Sequence, residues 1–202
     1  MTSKKIDYLD FFKTIGKSKR LLRTGWVREK IKDPESVAEH SFRAGVIAMV
    51  LSDKLGKNLN KKKLIKMALL VGIGELITGD IVVERGEHID IKKREEMERQ
   101  EKEDVGKIFA KIGDSENYSA VYKEMVDRVT LESRVFWQLD RLEMAIQALE
   151  YEEEQDKKLD EFFVNADLYI QEPLIRGIFN DIIKSRRKEY QESLRKKLKG
   201  KV

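Results

Sequence analysis

An all-α fold follows from three features of this chain. Apolar residues recur at steps of three and four along most of its length, and only 2 Pro and 12 Gly interrupt 202 residues. Charged residues, at 39%, nearly match hydrophobic ones at 41%, the balance of long amphipathic helices joined by short loops. At this length one domain with a single substantial core is expected, a helical bundle over 1–202 with a basic helix end at 184–202.

Ile6, Leu9, Phe12, Ile15 and Leu22 define a first helix, with Gly16 its weak point. RTGWVREKIKDPES follows, in which Asp33-Pro34 marks a loop and Pro34 and Ser36 open the next helix, Ser36 and Glu39 forming a capping box. His40, Ala44, Ile47, Leu51 and Leu55 then make a stripe directed at the core, and Gly56 ends that helix. Lys61–Ile77 is apolar on every side and therefore central, although Glu75 sits near its end and Asp80 just beyond. After the loop ERGEHID, IKKREEMERQEKEDVGKIFAKIG reads as a charged helix with shallow burial through Ile91, Met97, Val105, Ile108 and Ile112. GDSENYS is a polar break before helices at Val121–Val129 and Glu132–Tyr151, the latter carrying Asp140 inside an apolar segment. One or two closing helices complete the chain.

The absence of Cys removes disulfides, thiolate metal sites and a cysteine nucleophile. No stretch approaches the roughly 20 apolar residues of a membrane span, and MTSKKIDYLDFF lacks a signal core, so a cytoplasmic protein is expected. Abundant Lys, Glu and Ile without Cys is a balance met in thermophiles. The basic stretch KSRRKEYQESLRKKLKGKV reads as a solvated helix end; a nucleic-acid arm is the lesser reading, because no aromatic platform accompanies it.

Three ordered segments, RTGWV with PESVAEHSFRAG, then ELITGDI, then QLDRLEMAIQALEYE, resemble the HD-domain phosphohydrolases, specifically their 5'-deoxynucleotidase-like branch. The resemblance implies a helical bundle holding one divalent transition metal (Mn, Co or Zn) and releasing phosphate from nucleoside monophosphates, commonly as a homodimer. It assigns metal ligation to His40 and Asp140, water activation to Glu75 and Asp80, and contact with the nucleotide's phosphate and sugar to Arg23 and Trp26. Where the family carries its His-Asp pair, this chain has Val71 and Gly72.

Neither of those side chains has a lone pair to give. A complete four-ligand site is worth on the order of 10 kcal/mol or more, so losing half of it removes several. Without the ion, nothing strongly lowers the pKa of an attacking water. The expectation is a protein that binds nucleotide or phosphate with weak or no hydrolytic activity. The alternatives are an active nucleotidase using Glu75 or Asp80 as a replacement ligand, or a structural or nucleic-acid-associated helical protein. His88 reads as an exposed loop histidine, and His40 with Asp140 could equally satisfy one another by hydrogen bonding. Arg23, Arg43 and Lys93 are the bases available to offset the acids.

Overall fold

The chain begins its helices where side chains can satisfy free backbone donors. The computed structural model describes residues 6–56, 58–79, 91–113 and 115–199. Asp80 and His88 lie outside them, and so does the side chain of Lys93. Among the described residues there are ten α-helices and no strands: α1 (Tyr8–Ile15), α2 (Thr24–Arg28), α3 (Val37–Leu51), α4 (Lys61–Thr78), α5 (Ile91–Ala110), α6 (Ser115–Asp127), α7 (Leu131–Gln155), α8 (Asp160–Tyr169), α9 (Pro173–Ser185) and α10 (Lys188–Lys199). A 3-10 turn, Gly16–Lys19, follows α1.

Ser36 caps α3 as the sequence predicts. Its hydroxyl accepts from the Glu39 backbone N–H, and the Glu39 carboxylate accepts from the Ser36 N–H at 2.6 Å. The first helix breaks at Gly16 instead of running on to Leu22. α2 precedes the Asp33-Pro34 loop without having been singled out as a helix, and the carbonyls of Glu29 and Lys30 just after it accept from Lys157. α3 stops at Leu51, before Gly56, and α6 begins six residues before the expected Val121. Three helices, not one or two, close the chain.

α7 is the spine, touching α3, α4, α6, α8 and α9, while α3 packs chiefly on α4. Between them lie Leu64, Met67, Phe136, Leu139, Leu142 and Phe163, all essentially without solvent exposure. α4 is less enclosed than its composition suggests, because Leu69 and Ile77 are at least half exposed. α5 is the converse: Val105, Ile108 and Phe109 are buried, so its C-terminal half belongs to the core.

One short pairing positions the site. Leu22 and Ser36 form an isolated antiparallel bridge, with Arg23 N–H donating to the Glu35 carbonyl and Val37 N–H to that of Leu21. This ties the segment containing Arg23 and Trp26 to the start of α3.

Candidate functional site

His40, one turn into α3, meets α7 a hundred residues later. Its Nε2 lies 2.9 Å from Asp140 Oδ1 and its Nδ1 2.5 Å from Glu143 Oε2. Asp140 and Glu143 are three residues apart and share a face of α7, so the ring is held between two carboxylates. His40, Asp140 and Glu143 are all buried. Arg43, one turn after His40, extends the contact with Nε on Glu143 Oε1 at 2.9 Å, NH1 on Glu150 at 2.6 Å and NH2 on Gln147 at 2.5 Å. Arg141 NH1 bonds the second oxygen of Asp140 at 2.6 Å.

These neighbours set the protonation states. Burial and the Arg23 charge oppose a charged His40, but Glu143 and the hydrogen bonds to both acids outweigh them and raise its pKa to about 10. Burial pushes Asp140 upward, yet the His40 hydrogen bond and the Arg141 charge hold it well below the usual carboxylate range. The two acids thus favour the charged form of His40, with one carboxylate oxygen facing each ring nitrogen.

Glu35 stands on the Nδ1 side of His40, 4.0 Å from it, and accepts from Trp26 Nε1 at 2.8 Å. Burial, followed by the Glu143 charge, raises its pKa to about 7 against the opposing influence of His40. Its backbone N–H donates to the Tyr151 hydroxyl at 2.8 Å. Among the described residues, Glu35, His40 and Glu143 are the one group whose ligand atoms converge closely enough to hold a cation, all within 4.8 Å of one another. Sequence reading missed Glu35 and Glu143. The spacing Asp140-x-x-Glu143 was the available signal, hidden among 37 acidic residues.

The other residues singled out from sequence take separate places. Arg23 NH1 lies 3.3 Å from Glu75 Oε1, an ion pair beside the cluster, and Glu75 is not part of the converging group. Trp26 is 2% exposed, stacked on Phe162 at 4.1 Å between ring centroids, with Tyr151 edge-on at 5.2 Å. Val71 is buried. A Cβ at Gly72 would lie 2.2 Å from Val37 Cγ1 and 3.1 Å from Ser41 Oγ, and one at Gly74 would lie 2.0 Å from the Tyr122 hydroxyl. Both glycines thus mark close packing.

Such an arrangement, all-helical and centred on a histidine and carboxylates shared by two helices, defines the class of the protein. A model of the HD domain family matches residues 15–182, and the chain belongs to that family. It is 34% identical over 183 residues to the 5'-deoxynucleotidase HDDC2 of Danio rerio, covering 88% of this chain and 87% of that one. To the 5'-deoxynucleotidase HDDC2 of Xenopus laevis it is 32% identical over 192 residues, covering 93% and 91%. In structure it is similar to a conserved hypothetical protein from Pyrococcus furiosus, with TM-score 0.70, 27% identity and coverage of 87% and 99%.

Proposed function

We propose that this chain is a 5'-deoxynucleotidase-like HD protein that binds nucleoside monophosphates or a related phosphate-bearing small molecule, with weak or no hydrolytic activity. The observation that carries this reading is the engagement of both His40 nitrogens by Asp140 and Glu143. Each ring nitrogen faces a carboxylate oxygen directly, so an ion would have to displace one of these contacts. Val71 and Gly72 bring no donor, and the space beside Gly72 is taken by Val37. His40, Arg43 and Arg141 supply inside the fold the positive charge that a divalent ion would otherwise provide. The residues present therefore do not suit a four-ligand centre.

A second reading draws on the convergence of Glu35, His40 and Glu143: a weakly held ion on the Nδ1 side of His40, sustaining residual turnover. Calorimetric titration with Mn, Co and Zn, beside phosphate release from a panel of deoxynucleoside monophosphates, separates the two. The leading reading expects no micromolar metal binding and no metal-stimulated release. A fully occupied ion together with brisk dephosphorylation would overturn it.

The outer face of α3 exposes Phe42, Val46, Met49 and Val50, at steps of four, three and one. This stripe supports a homodimer formed through α3, since contiguous apolar surface of this kind marks association sites.

A further inference from the structure

Two cavities open near the cluster, and their charges differ. The larger, about 1070 Å³, runs along α3, where Asp33, Glu35 and Glu39 face Lys19 and Arg43. Arg43 is already engaged by Glu143 and Glu150, so this groove offers little to an anion. The smaller, about 230 Å³, lies between the 3-10 turn and the end of α4, lined by Lys17, Arg20, Leu21, Glu75, Leu76 and Gly79. Its volume is below the ~300 Å³ at which drug-sized sites begin, and suits a compact head group.

Among the described residues neither Lys17 nor Arg20 makes a close ion pair, Lys17 meeting Asp10 only at longer electrostatic range, and both are exposed. The acid in the wall, Glu75, is met by Arg23. The carbonyl end of α4 at Gly79 adds a fractional negative charge, on the order of half a unit, smaller than the two cations facing it. Among the described lining residues the excess charge is positive.

We infer that Lys17 and Arg20 form the seat of a phosphomonoester dianion, displaced outward from Arg23. The inference rests on the nucleotide-binding reading and deepens it. Arg23 is spent on Glu75 and Trp26 is enclosed between Phe162 and Tyr151, so a phosphate entering beside α4 meets Lys17 and Arg20 first. Arg20 offers a planar fork of donors to the phosphate oxygens, Lys17 a mobile point charge, and Leu21 and Leu76 an apolar margin for the sugar.

The test is calorimetry on the full chain, in chelator and at low salt, with inorganic phosphate and with deoxyadenosine 5'-monophosphate. Arg20→Gln and Lys17→Gln are each expected to weaken both by about tenfold, as loss of a charge-assisted hydrogen bond does. Arg20→Lys should retain most of the affinity. Lys19→Gln should retain all of it, because Lys19 lies on the same turn but lines the larger groove. Circular dichroism melts confirm that the variants fold. Undiminished nucleotide binding in Arg20→Gln and Lys17→Gln overturns the seat and leaves the nucleotide reading standing. Phosphate binding that these variants lose, with no binding of the nucleotide, supports the seat and overturns the nucleotide reading. Wild-type protein that binds neither probe overturns both.

Discussion

Val37 decides what position 72 is able to hold. With its methyl 2.2 Å from where a Cβ would stand, Gly72→Asp should destabilise the protein by about 2–4 kcal/mol, from overpacking and the burial of a charged acid. Val37→Ala should recover part of that loss when combined with it. Urea denaturation of the two single variants and the double variant measures the coupling, and strictly additive costs would count against the packing argument. His40→Ala leaves Asp140 and Glu143 facing a void and should cost about 3–5 kcal/mol by the same measurement, because breaking a buried ion pair exposes the desolvation already incurred. Here the sequence was legible in part. His40 and Asp140 stand out as polar residues on apolar stripes, whereas Glu35 and Glu143 look like any surface acid until the fold brings α7 against the start of α3. Glycines inside a helix already suggest close packing, but the partners that crowd Gly72 and Gly74 were beyond sequence, since Val37 and Tyr122 come from other helices.

Helix starts with side-chain caps were readable because capping is local: Ser36 with Glu39 fixes the beginning of α3 within one turn of chain. Depth was not, because it depends on neighbours. The apolar residues of α5 are sparse, yet Val105, Ile108 and Phe109 are buried where α5 meets α4 and α6. Arg186, just after α9, shows what the closing helices rest on. It bonds Glu152 of α7 at 2.6 Å and Asp160 of α8 at 2.8 Å, with its guanidinium 3.9 Å from the Phe163 ring centroid. Arg186→Ala should therefore cost about 3–5 kcal/mol in a urea titration, well beyond an exposed arginine; a loss under 1 kcal/mol would show that the pairing contributes little. Burial works to raise the Asp160 pKa, but hydrogen bonds from Ser193 and Arg186 prevail and hold it below its ordinary 3.8. A lowered carboxylate stabilises the fold fully above 3.8 and loses that contribution as pH falls through the folded value. Stability should thus decline on acidification below about pH 4 more steeply in the wild type than in Asp160→Asn, as read from urea midpoints across pH. Parallel pH profiles would contradict this.

Over the whole molecule the all-α class was legible because helical periodicity pervades the chain, and the family because its ordered segments span most of it. None of the described helices is long and apolar enough to cross a membrane. If α3 carries the dimer contact, Phe42→Glu should shift the protein from dimer to monomer in light scattering without lowering its melting temperature, since Phe42 is 71% exposed. An unchanged mass would assign association to another face. Internal cations also predict indifference to chelators: melting curves with and without EDTA should coincide, and a marked fall in EDTA would reveal a resident ion. The packing at Val37 also makes position 72 a two-residue problem for redesign. A larger side chain there needs room that a smaller residue at 37 would leave, while that smaller residue alone merely loosens the interior. Each change by itself costs stability, so the pair has to be made together.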